Sequence, residues 1–318
     1  MTEFQQPIEL LPIFRERVWG RESLEPFFRN EGILRTEPER RIGEVWFTCE
    51  ENPTSAGTNL GSLLRHHPEI LGQAGDRRHP GVCPILLKLL FTTERLSVQV
   101  HPDDAYAWRY HQSLGKTEAW YVLDSQPPGE VAVGLRRPVS PDEFESSIES
   151  GEIENLLDWR PVERGDVIFT PAGTVHAIGA RLTICEIQQN SDITYRLYDY
   201  GRPRELHVEH GAAVSHLGPH DCTTARTEIS EGREQLVTCD YFRIERLRPK
   251  SAFAFSNPLP YYMILICTSG SGTFNGASFR AGQAWLAPAN SAKFSLDGPG
   301  SEWILTYAAP EAAGFSAS

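Results

Sequence analysis

The chain has 318 residues, of which 40% are hydrophobic and 23% are charged, a composition typical of a globular protein with one large or two ordinary domains. Its formal net charge of −12 argues against sequence-independent nucleic-acid binding, so we expect a small-molecule partner. The N-terminal residues lack a leader pattern, and the longest apolar run, at 261–267, is too short to cross a bilayer. We therefore expect a cytoplasmic protein with no membrane partner.

Six cysteines are spread along the chain, and no two of them have a CxxC spacing. This distribution fits reduced, buried thiols better than a disulfide framework or a thiolate metal site. The cysteines are residues 49, 83, 185, 222, 239 and 267.

Short apolar runs separated by Gly, Pro, Asn and Asp dominate the chain from residue 85 onward. They predict many short strands joined by turns, which indicates a β-sandwich or a barrel. In the run at 96–101, Val98 and Val100 alternate with Gln99 and His101, so the two polar side chains share one face. In chain order, the predicted strands cover 85–93, 96–101, 118–124, 130–135, 166–171, 182–188, 194–200, 242–247, 261–267, 272–276, 284–288 and 303–308.

Two segments carry helical signals. The segment 140–159 begins with Ser140 as N-cap, has Pro141 at the first helical position and has Glu143 where a capping box requires an acidic residue. The second candidate helix is 205–217. The polar segment 218–235 lacks apolar periodicity and is predicted to link two β units. The predicted division is a catalytic barrel with helical elements at 1–217, a linker at 218–235 and a second barrel at 236–318.

The segments 165–176 and 282–293 share one pattern: Gly, five residues, Pro, one residue, a turn former, two residues and a polar side chain. This repeat predicts duplicated β units. The first copy ends in His176 and the second in Lys293, and no Gln-x-His pair precedes the apolar run of the second half. If the first copy holds a metal ion, the second copy is therefore expected to have lost it.

Four side chains from three predicted strands form a candidate metal site. Gln99 and His101 share a strand face, Glu118 begins another strand, and a Pro-x-Gly turn returns the chain so that His176 points inward. Each residue alone has an ordinary explanation, such as a cross-strand hydrogen bond, a surface ion pair or a structural histidine. Together they favour two imidazoles, a carboxylate and an amide oxygen, which suit Zn²⁺, with Fe²⁺, Mn²⁺ or Co²⁺ as substitutes.

Several sequence blocks resemble the signature blocks of one family, the type I mannose-6-phosphate isomerases, which are cupin-fold zinc enzymes. Many cupins share the Gly/Pro/His pattern, but few combine it with Gln-x-His-Pro and Tyr-Arg-x-Tyr-Asp. The chain resembles the short bacterial form, which has no helical insertion. The resemblance implies a mainly β fold of two cupin-like jelly-roll barrels with a few helices, in which the second barrel is degenerate. The blocks are PIFRERVWG at 12–20, GEVWFT at 43–48, QVHPDD at 99–104, GKTEAWYVL at 115–123, GDVIFTPAGTVHAI at 165–178 and QQNSDITYRLYDYGR at 188–202.

The resemblance implies that one Zn²⁺ per chain is bound by Gln99, His101, Glu118 and His176. The general cupin pattern places an Asn four residues beyond the metal-binding His, but this chain has Ala180 there. The departure leaves the implied ligand set at the four named residues.

The resemblance also implies that Lys116, Asp192 and Arg196 are catalytic residues in the substrate site. The strand period places Lys116 on the face of Glu118, beside the expected metal. Longer relatives often have a His before the equivalent of Lys116, whereas Gly115 stands here. Candidates for contact with the sugar ring or its phosphate are Trp19, Trp46, Lys88, Arg202 and Arg204.

The implied reaction interconverts mannose 6-phosphate and fructose 6-phosphate through a cis-enediolate. Proton transfer between carbons needs a group with a pKa near neutrality, which Lys116 beside a cation or Asp192 in a dry pocket would supply. Arg196 stays charged, so it suits enediolate stabilisation or phosphate binding; its ordinary explanation is an ion pair with Asp199.

Two other functions remain open at this stage, a metal-dependent cupin dioxygenase and a non-catalytic sugar-binding cupin. The expected partner is a small sugar phosphate, with no nucleic acid involved. The expected assembly state is a monomer or a weak homo-oligomer.

Overall fold

A computed structural model of the chain describes residues 4–29, 40–74, 81–255, 257 and 260–308. These residues fold mainly into antiparallel β-strands, as the sequence predicts. The count of two barrels stays a prediction. The strands of the first part of the chain are β1 (Ile8–Leu10), β2 (Ile13–Arg21), β3 (Ile42–Trp46), β4 (Ile85–Phe91), β5 (Val98–Val100), β6 (Glu118–Ser125), β7 (Glu130–Leu135), β8 (Leu157–Pro161), β9 (Val167–Thr170), β10 (His176–Ile178), β11 (Leu182–Gln189) and β12 (Tyr195–Tyr198).

The later strands follow the same pattern of short, closely spaced elements. They are β13 (Thr227–Ser230), β14 (Arg233–Thr238), β15 (Arg243–Leu247), β16 (Phe253–Phe255), β17 (Met263–Ser269), β18 (Ser271–Phe274), β19 (Ala277–Arg280), β20 (Ala284–Ala287), β21 (Phe294–Asp297) and β22 (Glu302–Tyr307).

The helices are short. Within the described ranges, none of them combines the length and the apolar character needed to cross a membrane. They are α1 (Leu60–His66), a 3₁₀ turn at Pro68–Ile70, α2 (Asp104–His111), α3 (Pro141–Ser150), α4 (Ile153–Leu156) and α5 (Val208–Val214).

The described strands form four sheets, two in each half of the molecule. In the first half, a six-stranded sheet has the order β2-β3-β4-β11-β6-β9 and a five-stranded sheet has the order β12-β5-β10-β7-β8. In the second half, a seven-stranded sheet has the order β1-β20-β17-β22-β15-β14-β13 and a four-stranded sheet has the order β16-β21-β18-β19. The N-terminal strand β1 therefore pairs with β20, in the sheet of the second half.

Central strands of the two large sheets are buried on both faces, which explains their predominantly apolar sequences. Leu89 of β4 and Ile264 of β17 pack into one core that the six-stranded and seven-stranded sheets share. On the opposite faces, Leu90 packs toward the five-stranded sheet and Leu265 toward the four-stranded sheet. A shared core therefore joins the halves, and each half has an interior of its own.

The helix predicted at 140–159 is shorter than expected. Ser140 caps it as predicted, because its Oγ accepts a hydrogen bond from the backbone N–H of Glu143 at 3.2 Å. The Glu143 carboxylate binds Arg137. The helix ends at Ser150 because Gly151 adopts a left-handed conformation with φ of 76°. The rest of the predicted segment forms α4 and the start of β8, so the prediction of one continuous helix was wrong.

Other observed elements also differ from the predicted ones. The candidate helix at 205–217 is confirmed only over α5. The helices α1 and α2 were not predicted, although Asn59 and Asp103 act as their N-caps. The segment 218–235 contains β13 and the start of β14, so it is not free of strands. The division of the chain at 1–217, 218–235 and 236–318 stays a prediction.

The repeated segments share their backbone turns. Gly165 and Gly282 have φ of 94° and 88°, and Gly173 and Asn290 have φ of 85° and 52°. Both turn positions are thus left-handed in both copies, where Gly and Asn are the favoured residues.

All six cysteines are free thiols, as predicted, and five of them are buried. Burial raises the pKa of Cys49 and of Cys83 to about 11. A thiol that stays protonated is a poor nucleophile and a poor metal ligand, so these cysteines belong to the packing of the protein.

Candidate active site

The short strand β5 lies at the centre of the candidate site, between β10 and β12, and both of these neighbours carry polar side chains. Gln99 lies opposite His176 of β10 on one side and opposite Arg196 of β12 on the other. His101 follows directly after the strand and is 1% exposed. The polar face of the Gln-x-His pair therefore looks into the interior of the first half.

His101, Glu118 and His176 form a buried cluster in which the ligand atoms lie within 4.8 Å of one another. His101 Nε2 lies 3.5 Å from Glu118 Oε2, and His176 Nε2 lies 3.2 Å from Glu118 Oε1. None of these four atoms makes a hydrogen bond of good geometry within the described residues, and the charged neighbour of Glu118 Oε2 is Lys116 Nζ at 3.3 Å. Because unpartnered buried polar atoms are costly, the cluster fits a metal ion as the missing partner.

Backbone carbonyls set the orientation of both imidazoles. His101 Nδ1 donates to the carbonyl of Ile193 at 2.9 Å, and His176 Nδ1 donates to the carbonyl of Thr174 at 2.8 Å. A carbonyl only accepts, so each Nδ1 carries the proton and each Nε2 presents a lone pair to the centre of the cluster.

The cluster environment also keeps both rings neutral. Burial, with Lys116 and His176 nearby, lowers the pKa of His101 well below its usual 6.5. Burial lowers the pKa of His176 to about 4. Neutral imidazole is the form that binds a metal ion.

A cavity of about 510 Å³ lies beside the cluster, between the six-stranded and five-stranded sheets. Lys116 lines the cavity and also contacts the cluster, because its Nζ lies 3.3 Å from Glu118 Oε2. The structure thus gathers most of the predicted site residues around one space. Those that line the cavity are Trp19, Lys88, Gln99, Lys116, Asp192, Arg196 and Arg204.

The carboxylates around Lys116 set its protonation when no cation is bound beside it. Burial alone would lower its pKa, but Glu118, Glu186 and Asp192 outweigh burial and raise the pKa above the usual 10.5. Without a metal ion, Lys116 is therefore an ammonium group. A cation bound at Glu118 acts in the opposite direction.

Asp192 and Arg202 differ from their expected positions. Asp192 lines the cavity as an exposed residue, so the dry pocket expected around it is not found. Arg202 lies outside the cavity lining, and its guanidinium binds Asp199 at 3.1 Å and Glu94 at 2.9 Å. Asp199 is close to Arg202 in the chain, whereas Glu94 belongs to a distant segment that only folding brings to Arg202.

Trp46 also lies outside the cavity lining, where it supports Lys88. The Nζ of Lys88 stands over the indole ring of Trp46 at 4.6 Å from the centroid. Such a contact is a cation–π interaction. The Trp46 ring therefore packs behind a cavity residue, and Trp19 is the tryptophan that lines the space.

Sequence reasoning missed Glu186, a buried residue of the cavity wall. It lies opposite Lys88 across β4 and β11, with Oε2 at 3.5 Å from Nζ. Burial and the nearby Glu118 raise the pKa of Glu186, although Lys88 and Lys116 act against this shift. The sequence did contain a signal for this pair. Glu186 is a carboxylate within the apolar run 182–188 and Lys88 is a lysine within the apolar run 85–93, and buried charges are usually paired.

A second missed pair, Arg17 and Glu44, also belongs to the cavity wall. Arg17 Nε and Nη2 donate to the two carboxylate oxygens of Glu44 at 3.0 and 2.9 Å. Burial would raise the pKa of Glu44, but Lys88 and Arg17 outweigh it and lower the pKa. The wall therefore presents alternating, mutually paired charges.

Comparison with known proteins gives consistent matches over nearly the whole chain. Residues 8–136 match the family model for the catalytic domain of type I phosphomannose isomerase. Mannose-6-phosphate isomerase ManA of Bacillus subtilis is 34% identical, over 92% of this chain and 96% of that protein. The mannose-6-phosphate isomerase of Streptococcus mutans is 31% identical, with the same coverage of each chain.

Solved structures agree. The crystal structure of mannose 6-phosphate isomerase from Bacillus subtilis has a TM-score of 0.84 and 30% identity, and the match covers 95% of this chain and 99% of that one. A variant of phosphomannose isomerase from Salmonella typhimurium, at 14% identity, has a TM-score of 0.77 over 95% and 99% of the chains and shares the fold. Given relatives above 30% identity over most of its length, the chain belongs to the type I phosphomannose isomerase family.

Proposed function

We propose that the protein is a zinc-dependent aldose–ketose isomerase that interconverts mannose 6-phosphate and fructose 6-phosphate. The observation that carries this proposal is the convergence of His101, Glu118 and His176, whose four ligand atoms make no hydrogen bond within the described residues, beside a cavity lined by lysines and arginines as well as carboxylates. The names of the relatives support the choice of substrate.

We assign one Zn²⁺ per chain to Gln99, His101, Glu118 and His176. Two imidazole nitrogens, a carboxylate and an amide oxygen suit this ion. Gln99 belongs to the set because it lies opposite His176 and lines the cavity. When bound, the ion supplies positive charge that stabilises negative charge on a substrate oxygen.

The cavity walls suit an anionic sugar. Lys88 and Lys116 stand on the side of the six-stranded sheet, and Arg196 and Arg204 belong to β12 and the loop after it. We assign the phosphate to the two arginines because a planar guanidinium binds phosphate through paired hydrogen bonds. Trp19 offers an apolar face to the sugar ring.

The chemistry requires one proton to move between C2 and C1 and a second to move between O1 and O2. Through a cis-enediolate, a base takes the proton from one carbon and returns it to the other. Glu186 and Asp192 are the carboxylates of the wall that suit this transfer, and the raised pKa of Glu186 favours Glu186. Lys116 suits proton transfer at oxygen, because its Nζ lies between the metal-binding cluster and the cavity.

Exchange of the substrate C2 hydrogen with solvent identifies the carbon base. We expect Glu186→Gln to suppress this exchange more strongly than Asp192→Asn, with the zinc content of both variants unchanged. Suppression by Asp192→Asn alone assigns the carbon proton to Asp192.

The two alternatives are a cupin dioxygenase and a non-catalytic sugar-binding cupin. A fourth protein ligand, Gln99, leaves fewer open positions for oxygen, which disfavours a dioxygenase. The arginines and lysines of the cavity favour an anionic substrate. Metal analysis followed by a coupled assay with mannose 6-phosphate and fructose 6-phosphate separates the three functions. We expect about one zinc per chain, loss of turnover on chelation and recovery on adding zinc. Full turnover by verified metal-free protein contradicts the metal assignment.

We also propose a cytoplasmic location and a monomeric or weakly associated state. Six free thiols, five of them buried, support a reducing compartment.

A further inference from the structure

The segment after β12 turns back on itself and brings arginines to one buried carboxylate. Tyr200 and Gly201 have φ of 54° and 76°, and the backbone N–H of Arg202 donates to the carbonyl of Asp199 at 3.0 Å. Two successive left-handed residues make a tight turn. The turn therefore returns Arg202 and Arg204 toward Asp199.

Asp199 is 3% exposed and binds these arginines directly. Arg204 donates to both of its carboxylate oxygens, at 2.5 and 2.7 Å, and Arg202 donates to one of them at 3.1 Å. Arg196 Nε lies 3.9 Å from the same carboxylate. A two-bond pair of carboxylate and guanidinium has a defined geometry, so Asp199 sets the plane of the Arg204 group.

The same segment holds Arg196 in place but leaves its guanidinium incompletely bound. Arg196 Nη1 donates to the carbonyl of Glu205 at 2.9 Å. The backbone N–H of Arg196 donates to His207 Nδ1, and the backbone N–H of His207 donates to the Arg196 carbonyl. Within the described residues, the buried Nε of Arg196 has no hydrogen-bond partner. An acceptor from a ligand would satisfy it.

We propose that Asp199 is a positioning residue that aims the guanidinium groups of Arg196 and Arg204 at the phosphate of the substrate. The two arginines line the cavity, and Asp199 is not among the lining residues. Asp199 therefore acts through the arginines and does not touch the substrate. This inference rests on the proposed function, because that function places a phosphate in the cavity.

The sign of the effect separates positioning from simple electrostatics. A carboxylate close to a phosphate repels it, so removing the charge of Asp199 would strengthen phosphate binding if charge alone mattered. Positioning predicts the opposite, because guanidinium groups released from Asp199 lose the arrangement that matches phosphate oxygens.

The test is the affinity of the zinc-loaded protein for inorganic phosphate, measured by calorimetry for the wild type and for Asp199→Asn. We expect the variant to bind phosphate roughly tenfold more weakly, the scale of one charge-assisted hydrogen bond. The matched control is Asp158→Asn, because Asp158 also binds an arginine, Arg160, at 2.7 Å and lies outside the cavity lining. Equal or tighter phosphate binding by Asp199→Asn overturns the inference.

Asp199→Glu covers the case in which Asp199→Asn is unstable, because it keeps the charge but moves the carboxylate, and positioning predicts weaker phosphate binding in this variant too. A double-mutant cycle tests whether Asp199 acts through Arg204. In an Arg204→Gln background, Asp199→Asn should weaken phosphate binding less than it does in the wild type, because one of its targets is gone. Full additivity of the two changes overturns the inference. We also expect the KM for mannose 6-phosphate to rise in Asp199→Asn more than kcat falls.

The two proposals fail separately. A wild-type protein that binds phosphate but does not isomerise mannose 6-phosphate contradicts the proposed function only. An active enzyme in which Asp199→Asn keeps the wild-type phosphate affinity contradicts the role of Asp199 only.

Discussion

The interiors of the two halves are built from similar buried strands and filled in opposite ways. In the first half, β4 turns Lys88 inward and β11 places Glu186 opposite it. In the second half, β17 turns Leu265 inward opposite Trp285, whose ring lies 5.5 Å from that of Trp303. In these paired strands the first interior thus holds a charged pair, and the second interior holds an apolar pair.

This difference shows how a β interior either keeps or loses a cavity. Buried charges need partners, and the pairs of the first half line a space of about 510 Å³. In the second half, Phe274 packs on Trp303 and on Trp285, and each of these rings is less than 10% exposed. Large rings fill the second interior and contribute stability through packing.

The repeated turns make the same contrast at single-residue scale. His176 begins β10 as a fully buried residue, whereas Lys293 is exposed and directly precedes β21. Turns of the same backbone conformation therefore place an imidazole in the interior in the first copy and an ammonium group in solvent in the second.

The largest effect should come from replacing His176 with alanine, compared with the same change at Lys293. We expect His176→Ala to lower kcat by at least about 10³-fold and to release zinc, because a ligand of the proposed metal is lost. Lys293→Ala, the matched control at the repeated position, should keep wild-type zinc and kcat. Atomic absorption and steady-state kinetics measure both. Equal zinc loss in the two variants would show that the comparison of the halves is wrong.

Emptying the aromatic interior should affect stability rather than chemistry. We expect Trp303→Ala to lower the free energy of unfolding by about 4 kcal/mol, because it leaves a large cavity. Denaturant unfolding measures this change, and kcat per folded molecule should stay near the wild-type value. Trp108, which is 48% exposed, provides the control, and Trp108→Ala should cost clearly less than Trp303→Ala because it leaves no enclosed cavity. A large fall in kcat for Trp303→Ala would show that the second interior takes part in catalysis.

The buried imidazoles should make the metal-free protein sensitive to acid. The pKa of His176 is about 4 in the folded chain and 6.5 as a reference for the unfolded chain. Between these values the unfolded chain binds more protons, so stability falls as the pH falls from 6.5 toward 4, by at most about 3 kcal/mol. Urea unfolding across this range should show a smaller pH dependence in His176→Ala. If His176→Ala keeps the wild-type pH dependence of stability, His176 is not the source of that dependence.

The smallest effects should come from two cavity residues outside the metal-binding cluster. We expect Lys116→Ala and Arg196→Ala each to lower kcat/KM by about 10²-fold while keeping zinc and Tm. Lys116→Ala should act mainly on kcat, and Arg196→Ala should also raise KM because Arg196 binds phosphate. The exposed Lys250 gives a control, since Lys250→Ala should change neither constant. Wild-type kinetics in zinc-loaded Lys116→Ala would remove Lys116 from the mechanism.

The sequence by itself determined the features that depend on short-range periodicity and turns. Alternation placed Gln99 and His101 on one face, and the repeated Gly and Asn turns are left-handed as their residue types require. The mainly β class and the family followed from the same short segments. These features were predictable because neighbouring residues set backbone conformation and side-chain direction.

Only the tertiary structure decided which distant charges meet and which side chains are buried. Glu186 meets Lys88, and Arg17 meets Glu44, through pairings between strands far apart in the chain. Asp192 proved exposed for the same reason, since exposure depends on the sheets that pack around a residue. The pairing of β1 with β20 and the core shared by the halves also depend on long-range packing, which periodicity within a segment does not encode.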